Sequence, residues 1–147
     1  MQYSVEGFTR TKVFEGYSSD AYSKSGDVWT IGYGHTRGVH PGQRITLSQA
    51  EELLTQDVND AEKVIDNFVT VELNQNQFDA TVDAAFNLGE KLFKNEDGSK
   101  TRFLAYINGG HMHLAAEELL KWDHFRGRVL AGLLTRRNAE KEEFESA

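Results

Sequence analysis

The stretch TLSQAEELLTQDVNDAEKVIDNF, Thr46 to Phe68, decides the architecture of this chain. Its first four residues, Thr46-Leu47-Ser48-Gln49, have the form of a capping box, in which a hydroxyl and a glutamine satisfy the open amide and turn of a helix start. Leu53, Leu54, Val58, Ala61, Ile65 and Phe68 then fall on one stripe, as a helix with one buried face requires. The pattern predicts a helix over about residues 48–68, roughly 30 Å long. That length is enough to join a small lobe to a larger one.

Upstream, a short helix is expected from Ser4 to about Phe14, capped by Ser4, with Val5, Phe8 and Val13 at near-helical spacing and Gly16 as its stop. Glu15 then stands at its C-terminal edge. Between Asp20 and Thr46 the chain turns to tyrosines, glycines, β-branched residues and turn formers, with Ser25-Gly26-Asp27 between two extended runs. A β-hairpin or three-stranded sheet is expected there. In a strand from Val28 to Tyr33, Thr30 shares a face with Val28 and Gly32, opposite Trp29, Ile31 and Tyr33. One face can pack while Thr30 looks into an open cleft.

Downstream, Asn74-Gln75-Asn76-Gln77 repeats the capping logic ahead of Phe78, Val82, Ala85 and Phe86, and Gly89 supplies the stop. This helix, more apolar than the others, is expected at the centre of a helical lobe. Shorter helices are expected at about Thr101 to Ile107, Leu114 to Lys121 and Leu133 to Phe144, with a loop at Asn95-Glu96-Asp97-Gly98-Ser99. The whole reads as one α+β unit. Its parts are a β-containing lobe over about 16–47, the connecting helix over about 48–68, and a helical lobe over about 74–147.

A length of 147 residues suffices for one core. The absence of cysteine excludes disulfides and thiolate metal sites. Met1 to Glu6 has neither a basic nor an apolar signal region, and no run of about eighteen apolar residues occurs, so no signal peptide or membrane span is expected. The net charge of −7 argues against nucleic acid as the main partner and against adhesion to anionic membranes. Arg126, Arg128, Arg136 and Arg137 form a local basic group, read as helix-end charges and pairing partners. No metal or cofactor is expected: His111 and His113 lack a third ligand at suitable spacing, and the glycine run lacks the spacing of a dinucleotide site. A monomer is expected.

Glu15 precedes by fifteen positions Thr30, which belongs to the run Trp29-Thr30-Ile31-Gly32-Tyr33-Gly34-His35-Thr36. A proton donor, a hydroxyl able to hold a water, and glycines such as Gly32 that let a bulky substrate approach are what cleavage of a glycosidic bond needs. Each alone has a plainer reading. A glutamate after a helix is usually solvated, a histidine like His35 is more often packed or salt-bridged than catalytic, and Phe86, Trp29 and Trp122 are core residues first.

Taken together, Glu15-Gly16, the Trp29 to Thr36 run, Gly38-Val39-x-Pro41-Gly42, the capped helix and Phe86-Asn87-Leu88-Gly89 resemble the phage-type muramidases, the lysozymes of glycoside hydrolase family 24. The resemblance runs from about residue 4 to Arg136-Arg137. It implies a lysozyme-like fold and hydrolysis of peptidoglycan by an endolysin without metal or cofactor. Such a protein accumulates in the host cytoplasm and reaches the wall after a holin opens the inner membrane. It further implies that Glu15 is the general acid and that Thr30 positions the attacking water. His35 and Asp57 would form a structural ion pair, Phe86 and Asn87 would meet the sugars, and Arg136 would lie near Glu15.

The family signature is Glu, eight residues, Asp or Cys, five residues, Thr. Glu15 and Thr30 match it, but the middle position is Lys24. A lysine activates water only when deprotonated, which needs strong burial, and an ammonium near Glu15 would favour its carboxylate. Three readings follow: Lys24 points to solvent and Thr30 positions the water unaided; Asp20 or Asp27 serves as base; or the protein binds glycan without cutting it. The first is the favoured one. Two competing classes remain: a lytic transglycosylase, in which the muramyl 6-hydroxyl attacks in place of water, and a catalytically weakened glycan-binding or regulatory module.

Overall fold

The helix expected from the opening stretch is the backbone of the molecule. In the computed structural model, which describes residues 1–23, 28–125 and 128–146, it is helix α2, Leu47–Phe68. The Thr46 hydroxyl accepts from the Gln49 amide at 3.1 Å, and the Gln49 side chain accepts from the Thr46 amide at 2.9 Å, so the capping box forms as read. Leu54, Val58, Ala61 and Ile65 are buried along one side, each contributing on the order of 1–3 kcal/mol of burial free energy according to size.

Before α2 come helix α1, Val5–Glu15, and strands β1, Ser18–Tyr22, and β2, Thr30–Gly32. Strands β1 and β2 pair antiparallel, with Ser18 opposite Gly32 and Tyr22 opposite Thr30. On its other edge β1 receives the segment leading into α2: the Ala21 amide donates to the Gln43 carbonyl and the Ile45 amide to the Ser19 carbonyl, both at 2.9 Å. The sheet is thus two strands and a bridging third segment. β2 is shorter than the expected strand because Ile31 and His35 exchange backbone hydrogen bonds at 2.9 and 3.0 Å, turning the chain sharply. The turn expected at Ser25-Gly26-Asp27 lies outside the described residues.

Helix α1 is capped by Ser4, whose hydroxyl accepts from the Gly7 amide at 3.0 Å, and ends at Gly16 with φ +69°. Its expected apolar stripe is not its buried face. Val5 and Val13 are 78% and 76% exposed, whereas Gly7 and Thr11 are buried. Of the expected stripe only Phe8 packs against the core, its ring 5.1 Å from that of Tyr3; the rest of the docking is polar, with Thr11 donating to Asp83 at 2.7 Å, Ser4 bonding Asp79, and Arg10 donating to Glu143 at 3.0 Å. Gly7 makes room for the Tyr3 ring, since a Cβ there would lie 2.4 Å from Tyr3 Cε1.

The helical part is built around α3, Gln75–Leu88, with a second capping box at Asn74 and Gln77. All eight residues from Phe78 to Ala85 are buried, because α2 lies on one side and α6, Ala131–Glu145, on another. Between them stand a 3₁₀ turn at Gly89–Leu92, α4, Arg102–Asn108, and α5, Met112–Leu119. The aromatic rings of Phe68, Phe93, Phe103 and Phe144 pack in series, with centroids 5.5, 6.0 and 6.4 Å apart. A small hairpin of β3, His124–Phe125, and β4, Arg128–Val129, was not expected, because strands of two residues carry no readable alternation. Arg136 and Arg137, read as helix-end charges and pairing partners, are buried inside the lobe, where both pair with carboxyl groups. Arg126 lies outside the described residues. No helix among the described residues is long and apolar enough to cross a membrane.

Candidate active site

Glu15 is the last residue of α1, and Gly16 turns the chain so that its side chain faces the loop after β2. One carboxyl oxygen, Oε2, accepts from Arg136 Nη1 at 2.6 Å. The other, Oε1, rests on Gly34, where an added Cβ would lie only 2.1 Å away. Gly34 therefore has to be glycine twice over: its φ is +76°, and the carboxyl occupies the space of its missing side chain. Burial together with the charge of Glu15 pushes the Tyr22 hydroxyl above its usual range. Tyr22 in turn is the cross-strand partner of Thr30, so the sheet brings Glu15, Tyr22 and Thr30 to one end of the fold. The Thr30 hydroxyl is partly exposed, and its hydrogen bond among the described residues is a long one, 3.5 Å to the Val28 carbonyl.

Arg136 is almost fully enclosed. Its Nε and Nη2 donate to the two oxygens of Asp83 at 2.9 Å each, while its guanidinium lies over the Phe14 ring at 5.2 Å. Asp83 also accepts from Thr11, whose hydroxyl contacts that of Tyr3 at 2.6 Å. Burial alone would raise the Asp83 carboxyl; the hydrogen bonds and charge of Arg136 and the hydrogen bond from Thr11 outweigh it and hold it well below the usual carboxylate range. Glu140 moves the other way. Burial and the Asp83 charge push it well above the ordinary glutamate value, although Arg137 Nε lies 3.2 Å from its Oε1, so of the two carboxyls Glu140 is the one that keeps the proton. Burial lowers Arg137, whose Nη2 donates to Asn87 at 2.6 Å.

A cleft of about 320 Å³ opens beside this cluster. Gly34, Thr36 and Arg37 form one wall, Asp57, Asp60, Ala61 and Val64 of α2 the floor, and Ala85, Phe86, Gly89 and Glu90 the far wall. Gly34 thus touches both the carboxyl of Glu15 and the cleft. His35 Nδ1 meets Asp57 at 2.8 Å and Nε2 meets the Arg37 carbonyl at 2.8 Å, the structural pair expected from the sequence. Phe86 lines the cleft as expected. Asn87 does not, its amide oxygen being held by Arg137. Gly32 is buried against α2, where a Cβ would meet Ala50 Cβ at 3.2 Å, so what the structure shows for it is close packing of β2 on that helix. Asp20 is exposed and paired with Arg44 at 3.3 Å. Lys24 and Asp27 lie outside the described residues.

The sequence reading did not single out Asp83, Glu140 or Thr11. The signal was there: Asp79 and Asp83 interrupt the run Phe78, Ala80, Val82, Ala84 and Ala85 of a central helix, and a carboxylate buried there needs a cationic partner. Arg136 and Arg137, with Glu140 three and four positions on, are that partner's address.

Residues 12–140 match the phage lysozyme family. The endolysin of Acyrthosiphon pisum secondary endosymbiont phage 1 is 35% identical over the whole of both chains. The endolysin of Bacillus phage B103 is 38% identical across 98% of this chain, which spans 54% of that protein's length. Among solved structures, the muramidase domain of SpmX from Asticaccaulis excentricus superposes with a TM-score of 0.85 at 35% identity, covering 99% of each chain. On its sequence and its fold, this chain belongs to the phage lysozyme family.

Proposed function

We propose that the chain is a muramidase, an endolysin that hydrolyses the β-1,4 bond between N-acetylmuramic acid and N-acetylglucosamine in peptidoglycan. The observation that carries this is the setting of Glu15. Its carboxyl is held by Arg136 on one oxygen and lies against Gly34, a wall residue of a sugar-sized cleft, on the other. In the reaction the Glu15 proton passes to the glycosidic oxygen as the bond to the anomeric carbon breaks. Thr30 holds the water that attacks that carbon; as the new C–O bond forms, the water's second proton passes to solvent, and the Glu15 carboxylate takes a proton back from solvent before the next turnover. Positioning of a bound water can supply a large part of the rate by itself, which is the reading that accommodates Lys24 at the signature's middle position.

Phe86 gives the sugars an apolar face, and His35 with Asp57 stiffens the loop that forms the near wall. The protein acts as a monomer without metal or nucleic acid. It accumulates in the host cytoplasm and meets the wall after holin release. The test is Glu15→Gln, which keeps shape and loses the proton: lysis of purified peptidoglycan falls by at least about a thousandfold while circular dichroism and melting are retained. A folded Glu15→Gln protein that still lyses walls refutes the assignment. Mass spectrometry of the wild-type products reads the reaction type, reducing ends for hydrolysis and anhydro ends for transglycosylation.

A further inference from the structure

Arg136 poses a problem for a general acid. A full positive charge 2.6 Å from Glu15 attracts a carboxylate more strongly than a neutral acid. A general acid needs the opposite. The structure supplies the remedy on the far side of the same guanidinium, where Asp83 accepts two parallel hydrogen bonds, from Nε and Nη2, at 2.9 Å. Such a bidentate pair is the strongest arrangement open to an arginine and a carboxylate.

We infer that Asp83 is a positioning residue for the reaction: by pairing bidentately with Arg136 it takes up the guanidinium charge, so that Arg136 orients the Glu15 carboxyl without fixing it as a carboxylate. This rests on the muramidase reading and deepens it. Asp83 is itself anchored from three elements. Thr11 of α1 donates to it at 2.7 Å, Arg136 of α6 grips both its oxygens, and its own helix α3 is buried around it. The other titratable and charged groups around the pair are Tyr3 before α1, Tyr22 on β1, and Arg137 and Glu140 on α6. Glu140 is the reserve: its Oε2 lies 3.8 Å from Arg136 Nε, so with the charge of Asp83 gone it can ionise and take its place.

The decisive variant is therefore Asp83→Asn with Glu140→Gln, which leaves Glu15 as the anion nearest Arg136. Its alkaline limb of kcat/KM against pH, measured on soluble peptidoglycan fragments, moves acidward by on the order of one pH unit or more relative to wild type. Asp83→Glu, which keeps the charge, holds the limb at the wild-type position even where turnover falls. A folded double variant with an unmoved limb overturns the inference, because loss of packing lowers rates without displacing a titration. If the double variant does not fold, carboxyl carbon NMR of the wild-type protein decides: Asp83 stays ionised throughout the working pH range, and an Asp83 that takes up its proton inside that range overturns the inference. A wild-type protein inert on peptidoglycan would be the separate failure of the muramidase reading.

Discussion

Gly34→Ala separates the two jobs of a glycine in the site. Alanine at φ +76° costs about 1 kcal/mol in backbone strain. Its Cβ would also sit 2.1 Å from Glu15 Oε1 and 2.6 Å from Cδ, against an ordinary non-bonded separation of about 3.5 Å. The carboxyl must therefore retreat by roughly 1 Å, and a displacement of that size at a reacting group costs about a hundredfold in rate. Gly38 provides the matched control, with φ +72° and nothing within 4 Å of an added Cβ. Gly38→Ala loses the backbone strain alone, a melting shift of about 2–4 °C, and Gly34→Ala loses at least that, but Gly34→Ala alone loses about a hundredfold in kcat on peptidoglycan fragments. If Gly34→Ala lyses walls within a few-fold of Gly38→Ala, the packing of Glu15 against Gly34 does not set the position of the acid.

Glu140→Gln stabilises the protein at neutral pH. The folded-state carboxyl of Glu140 is raised, so its contribution to stability is full below the unfolded glutamate value and is lost as pH rises towards the folded one. Glutamine has no proton to take up, and its advantage grows by about 1.4 kcal/mol per pH unit above about 4.3; denaturant melts that show no such slope would contradict a protonated Glu140. Asp83 has the opposite sign, its contribution being present above the unfolded value and lost on acidification. Asp57→Asn costs about 1–3 kcal/mol by removing the charged partner of the nearly buried His35. A double-mutant cycle with His35→Asn gives a coupling of the same order, and additive single effects would show that the pair does not interlock the loop with α2.

What the sequence determined by itself is what short-range rules encode. The boxes at Thr46 and Asn74, the cap at Ser4 and the stops at Gly16 and Gly89 were legible because a cap needs only residues three or four positions apart. The stripe of α2 was legible because its buried residues repeat with the helix. The same logic held in α1 for Phe8 and misread its valines, which face solvent, because much of that docking is polar and a polar interface leaves no apolar period. The spacing of Glu15 and Thr30 pointed to the end of the fold where the candidate acid lies, and the resemblance put Arg136 beside it; what the sequence reading missed is what holds Arg136 in turn. Arg136 meets Glu15 across 121 positions and Asp83 across 53. Contacts of that separation exist only once α1, α3 and α6 are packed, and burial is what turns four scattered charged residues into one coupled group. Tertiary structure alone also decided that Gly32 serves a helix and Gly34 a carboxylate, since two glycines of the same run look alike until something occupies the space beside each.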